Sequence, residues 1–520
     1  MPKKLIVTNR KALRAKYKTS GLKKIEARLK KLVAADKKRG VSTELVSMDI
    51  QSDVAPHSAP KIRNHEDPQQ AKDCVDALFN AVQPDYLMIL GSPDVVCHQP
   101  LDNPVIGDED LDIPSDLPYA CDAGYSEEIS DFAGPTRVVG RLPDVAGETN
   151  PKALLAAIDT AIAWRRRNRN AYNTCCAIST ESWKGSTRKS VKKIFGNASV
   201  RFISPPWGPP WSKTELKPRM HFVNCHGLDF DTAFYGDDGA GQQPLAIDQA
   251  DYDTRLRDGT VIAAECCFGA MLYDAPQFAI PPGICNTVLY NGVYGFMGST
   301  NVAYGPADSN GYADLICQYF MANVRVGASI GRALLEARQR YSNGEAPLDP
   351  VDLKTLAQFN LLGDPSVHPV NMVATAKRAI ALRKSVATTS ARRHTLNRKG
   401  MRIGQSVAYV RSQADSSVDE KLRADILREF STDRYKEVGR MFSFAVHGAK
   451  WPMFAKSKSA IRKAEGGGRY HLVGAIDARR QRPEPRVQVK KRAASPGPDV
   501  LVIAMEQDNK ISYMKTVYRR

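Results

Sequence analysis

Residues 222–227 read Phe-Val-Asn-Cys-His-Gly, and residues 261–270 read Val-Ile-Ala-Ala-Glu-Cys-Cys-Phe-Gly-Ala. Each opens as a short, continuous apolar run. That is the pattern of a strand buried on both faces, and such strands belong to parallel sheets covered by helices. In open α/β sheets, sites gather at the carboxyl ends of the strands. His226 stands at the end of the first run and Cys267 just beyond the second. About 40 residues separate them, room for the crossover that joins parallel neighbours. A thiol nucleophile needs a base or cation close by to make it a thiolate. Gly227, with no side chain, lets its N–H approach an oxyanion closely. Cys266 faces the other way, because neighbours on a strand alternate faces.

The same alternation extends outward over the first 374 residues. Strands are expected at Lys4–Thr8, Thr43–Met48, Tyr86–Leu90, Arg137–Val139, Cys175–Ile178, Val200–Ile203, Met220–Asn224, Val261–Ala264 and Thr287–Tyr290. Helical spacing marks Gly21–Lys38, Gln69–Val82, Pro151–Arg166, Arg188–Phe195, Tyr312–Val324 and Ala328–Arg340. The pattern restarts near residue 170, which predicts two successive α/β subdomains, 1–170 and 171–374, with mostly parallel sheets.

Charge marks the next boundary. Thr375–Arg520 holds 33 of the 74 Lys and Arg but 13 of the 56 Asp and Glu, a net of about +20. The whole-chain value is +18, so the rest is close to neutral. Residues 375–400 read as a basic linker or helix. Residues 401–520 read as a small basic α+β domain, with strands at Phe442–Val446, Tyr470–Ile476 and Val500–Met505. A basic tail of this kind is a dock for nucleic acid or an acidic protein partner, or else a solvated surface. No stretch of eighteen apolar residues suggests a membrane span, and the run Leu5-Ile6-Val7 is too short for a signal peptide. A cytoplasmic location is therefore expected. Ten cysteines in 520 residues do not form a disulfide framework. No metal or other cofactor is expected, since Cys225, His226, Cys266 and Cys267 lack zinc-site spacing.

Taken together, these residues carry a family resemblance. His226-Gly227 and Glu265-Cys266-Cys267-Phe268-Gly269 resemble the paired blocks of the caspase, legumain and gingipain clan, with Cys267 at the nucleophile position. Ser115-Asp116-Leu117-Pro118-Tyr119-Ala120 is similar to the gingipain "SDxxYA" segment, and Val138-Val139-Gly140-Arg141-Leu142-Pro143 to its "xxGRLP" turn. Gly327–Leu334 resembles a late helix of that family, and Phe359–Ser366 its "FxLLGDPS" close. The resemblance spans roughly residues 80–370. It implies a caspase–haemoglobinase-like fold and a cysteine endopeptidase acting on protein substrates.

Carried over by position, the resemblance makes Cys267 the nucleophile and His226 the general acid/base. The backbone N–H groups of Gly227 and Cys267 become the oxyanion hole. Gingipains place an acidic residue shortly before the Gly-Arg strand, where it orients the histidine. Here that stretch is Pro135-Thr136-Arg137, so a Cys–His dyad is expected, unaided or helped by Asp131. Asp144 and Glu148 either shape a pocket for a basic substrate residue or lie in a surface loop. Asp229, Asp231, Asp237 and Asp238 read as solvated loop charge, with a calcium site or the rim of a substrate cleft as the alternatives. The proline-rich stretch Pro205–Trp211 reads as an ordered loop beside the site. A protease loose in a cytosol needs control, by a partner or by latency. The competing class is a protease-derived binding protein that docks through its basic tail.

Overall fold

The computed structural model describes residues 1–105, 108–343, 348–371, 408–410, 435–438, 442–447, 468–477, 498–507 and 510–520. The expected basic linker 375–400 lies outside the described residues.

The core of the molecule is one ten-stranded sheet. Its strands are β1 (Lys3–Thr8), β2 (Ser42–Ser47), β3 (Tyr86–Leu90), β6 (Val139–Leu142), β7 (Cys175–Thr180), β8 (Phe202–Ser204), β9 (Met220–Asn224), β13 (Val261–Ala264), β14 (Gly295–Ser299) and β16 (Phe359–Leu362). They run in the order β2-β1-β3-β6-β16-β14-β13-β9-β7-β8. Each neighbouring pair is parallel except β14 with β16. The two halves read from the sequence therefore meet edge to edge in one mostly parallel sheet, through β6 and β16. A hairpin of β4 (Gln99–Asp102) and β5 (Asp112–Ser115) stands apart. A short antiparallel sheet follows β9: β10 (His226–Gly227), β11 (Ala233–Tyr235) and β12 (Leu245–Asp248).

The tail contributes strands β17 (Ala408–Val410), β18 (Tyr435–Val438), β19 (Phe442–His447), β20 (Gly468–Asp477), β21 (Val500–Gln507) and β22 (Lys510–Arg519). They pair antiparallel, and β22 continues onto β15 (Tyr304–Gly305) of the preceding region. The sequence pointed to an appended unit. The backbone instead sews its last strand onto the core.

Thr287–Tyr290 is a correction. It belongs to a helix, Ile284–Tyr290, that follows Pro281-Pro282-Gly283. Ile284, Cys285, Val288 and Leu289 are buried along it at three- and four-residue spacing, so a short apolar run had been read with the wrong period. The strand is β14, just beyond, where Gly295 and Gly298 break up the apolar signal. The strand expected at Arg137–Val139 begins later, at Val139.

The motif residues brace this sheet. Arg141 of β6 is fully buried and forks onto Asp116, Nε to Oδ2 at 2.9 Å and Nη2 to Oδ1 at 2.6 Å. Its Nη1 reaches the carbonyls of Gly91 and Val96 at 2.8 and 2.7 Å. Lys4 of β1 bonds Asp364 at 2.6 Å and Asp36 at 2.7 Å. Buried charges stay charged only when paired in this way. Among the described residues, no helix is long and apolar enough to cross a membrane.

Candidate active site

Strands β9 and β13 lie side by side, with Val223 opposite Ala264. His226 and Cys267 each follow three residues later, so both leave the sheet at the same level. Alternation sorts the neighbours. Val261, Ala263 and Cys267 join the core on one face, and Ile262, Ala264 and Cys266 the core on the other. Cys266 thus points away from Cys267, and burial pushes its thiol well above the usual range.

The approach of the two strand ends requires glycine at position 227. A Cβ there would sit 1.9 Å from the Cys267 carbonyl oxygen and 3.3 Å from its nitrogen. Cys267 is fully buried, and the Ala303 N–H points at its sulfur, 3.2 Å from N to Sγ. The backbone oxygen of Arg520 accepts a hydrogen bond from the same sulfur.

His226 is buried with its ring edge against Trp183, centroids 4.3 Å apart at 69°. Its Nε2 lies 3.1 Å from Asp237 Oδ2. Asp237 is itself held: Oδ1 accepts from Ser182 Oγ at 3.0 Å and from the Gly239 N–H at 2.6 Å. Burial alone would raise the Asp237 carboxyl. The hydrogen bond and charge of His226, with these two donors, overcome it and hold the group at about 2. Asp237 is therefore a carboxylate at any pH at which the site works.

The arrangement corrects two expectations. Asp237 is not solvated loop charge, and the His226 ring does meet a carboxylate. Asp131 is exposed, and the carboxylate on the ring is Asp237. Asp237 lies in the Gly236-Asp237-Asp238-Gly239 stretch just after β11, and the pairing of β11 with β10 brings that stretch back to His226. Asp144 bonds the Ser92 N–H at 2.6 Å, Lys16 at 2.8 Å and the Tyr17 hydroxyl. Glu148 accepts from the N–H groups of Thr149 and Asn150 at 2.9 and 3.0 Å. The acid that does meet a basic side chain beside Cys267 is Asp314, 3.1 Å from Arg520. The stretch Pro205–Trp211 packs through Trp207 and Trp211 on Phe202, and Ser204 just before it accepts the Asp237 N–H at 3.0 Å.

Residues 240–370 match the model of peptidase family C25, the gingipain family of the caspase-like clan. Over that stretch, about a quarter of the chain, the sequence is similar to the cysteine peptidases of the gingipain family. The matched stretch contains Cys267 and Asp314, while His226 and Asp237 precede it. A solved structure described as "Structure of Protease" aligns with 100% of this chain and 97% of its own, at 13% identity and a TM-score of 0.43. At that distance it carries no inference. No curated protein matches.

Proposed function

We propose that this chain is a cysteine endopeptidase of the gingipain type whose working groups are Cys267, His226 and Asp237. Its Nε2 engaged by Asp237, the His226 ring exchanges protons with the thiol through Nδ1. The thiolate attacks the scissile carbonyl carbon and forms the S–C bond, and the carbonyl electron pair moves onto oxygen. The backbone N–H groups of Gly227 and Cys267 receive that oxyanion. Collapse breaks the C–N bond, and the imidazolium gives its proton to the departing amine. Water, deprotonated by His226, then cleaves the thioester and returns the thiol.

The observation that carries this reading is the carboxylate-anchored histidine, level with a buried cysteine on the neighbouring parallel strand. The subdomain limits 1–170 and 171–374 fit the two ends of the sheet. A cytoplasmic, controlled protease fits the ten cysteines, all of them unbonded. The test is a proteome-scale cleavage profile of the wild-type chain beside Cys267→Ala. Cleavages present with the first and absent with the second support the reading. Identical profiles refute it.

A further inference from the structure

The helix Arg10–Lys38 holds twelve Lys and Arg against two acids, while residues 1–374 as a whole are close to neutral. Charge is therefore segregated onto this helix. Its backbone breaks at Lys18, where φ is 56°, and the part beyond carries a seven-residue repeat. Lys-Lys recurs at 23–24, 30–31 and 37–38, with Ala27 and Ala34 in step between the pairs. Seven residues are nearly two helical turns, so each period drifts by only about 20° and advances ~10.5 Å. The three lysine pairs thus form one row about 21 Å long. Leu22, Ile25, Leu29 and Leu32 bury the other side of the helix in the core that holds β1 and β3. The six lysines and two alanines of the row are all exposed.

The acids of the helix do not serve this row. Glu26 bonds Arg10 at 2.7 Å, and Asp36 is buried with Lys4 at 2.7 Å. Arg28, four residues after Lys24, pairs with Asp159 at 3.2 Å. A solvent-facing helix is supported by Glu and Lys set four residues apart. Here alanine stands four residues after Lys23 and Lys30, and charge of one sign gathers along the face. Solubility does not ask for such a row, because added acids serve it better than added lysines. Cations of one sign, with small side chains between them, fit a bulky partner of the opposite sign.

The chemistry of the row selects that partner. A helix lying on a membrane inserts apolar side chains, and here those are already buried in the core. Base readout uses Arg, Asn or Gln, and single strands stack on aromatic rings. The row has lysine and alanine alone, which leaves contact with phosphates. Its pairs stand ~10.5 Å apart, close to the roughly 12 Å width of the major groove of B-DNA, so successive pairs reach phosphates on both edges of a groove. We propose that the outer face of this helix docks duplex DNA without regard to sequence. The dock lies away from the cysteine. Cys267 follows β13, five strands along the sheet from β1, roughly 24 Å at the usual strand spacing. Bound DNA leaves the cleft open, and the dock stands whether or not the chain cleaves peptides.

The test uses the full chain and the fluorescence anisotropy of a labelled, mixed-sequence duplex of about 24 base pairs. One variant combines Lys24→Gln, Lys31→Gln and Lys38→Gln, exposed positions at which glutamine keeps the helix. A second combines Arg383→Gln, Arg392→Gln and Arg398→Gln in the basic stretch 375–400. Wild-type affinity should fall about 10³-fold between about 50 and 200 mM salt, as for six phosphate contacts, and should differ less than about threefold between duplexes of unrelated sequence. The helix variant should bind at least 30-fold more weakly at about 100 mM salt, with the slope of log K against log salt reduced by about 2.7. The second variant should stay within about fivefold of wild type. Iodoacetamide should label Cys267 at one rate in all three chains, with or without DNA. Equal binding by wild type and the helix variant overturns the inference, and so does a loss confined to the second variant. Labelling of Cys267 slowed by DNA, or lysine-dependent binding to phosphatidylserine vesicles with none to the duplex, overturns it as well.

Discussion

Asp237→Asn isolates the role of the carboxylate on the histidine. The amide has the same shape, but one of its ends is a donor. Asp237 meets donors on both sides: the Ser182 hydroxyl and the Gly239 N–H on Oδ1, and the ring Nε2 on Oδ2. An asparagine must therefore turn its NH₂ either toward Gly239 or toward His226, and one contact is lost in each case. The magnitude follows from the native carboxyl, held at about 2 against an ordinary 3.8. At 1.36 kcal/mol per pH unit, that is ~2.5 kcal/mol favouring the charged pair, with His226 supplying the largest share of the lowering. The carboxylate stabilises the imidazolium that forms when the thiol gives up its proton. Its loss should lower kcat/KM by roughly 30- to 100-fold, the same ~2.5 kcal/mol read as a rate. Linkage gives an independent check. A carboxyl whose folded pKa is depressed adds stability above its unfolded pKa, near 4, and loses it as pH falls toward 2. Denaturant titration should thus find the variant about 1–3 kcal/mol less stable at pH 7, with the gap closing below about pH 3. A folded Asp237→Asn chain with wild-type kcat/KM would refute the reasoning.

Cys267→Ala should abolish hydrolysis and iodoacetamide labelling at neutral pH. Cys266→Ala, in the opposite core, should keep both, as measured by peptide assay and mapped alkylation. Gly227→Ala forces a Cβ to 1.9 Å from the Cys267 carbonyl, so activity should fall by at least 100-fold in the same assay. Asp116→Ala strands the buried Arg141 charge and should cost about 3–5 kcal/mol in chemical denaturation, with the site's cysteine chemistry intact in whatever fraction remains folded.

What the sequence made legible was whatever is encoded locally. Strands β3 and β9 fall where continuous apolar runs place them, and the helix Pro68–Val82 where its spacing does. Their signals are strong because both faces or one whole stripe are buried. Legibility fails where the signal is shared or distributed. Ile284–Tyr290 is short and apolar, and a run of that length fits a strand or a buried helix turn equally well. Asp116 and Arg141 were visible as motif members, but their partnership is set by the sheet, across 25 residues. Asp237 was visible only as one of four loop acids, and it is the pairing of β10 with β11 that brings its loop to His226.

The tail shows most clearly how composition misleads when contacts are unknown. Its basic excess reads as a solvated surface or a dock for a polyanion, because charge unpaired in sequence is usually charge facing water. The last two arginines do neither. Arg519 and Arg520 are buried against Glu109 and Asp314, acids of the region that counts as nearly neutral. Asp314 lies 206 residues from its partner, so no local pattern announces the pair. The neutral balance of residues 1–374 is an average over such acids. Two of them, the half-buried Asp237 and the fully buried Asp314, lie where an unpaired carboxylate would be costly. Asp237 is satisfied by the histidine it orients. Asp314 meets the guanidinium of Arg520, which follows the pairing of β22 with β15. Electrostatic need and strand pairing thus converge on one residue, Arg520.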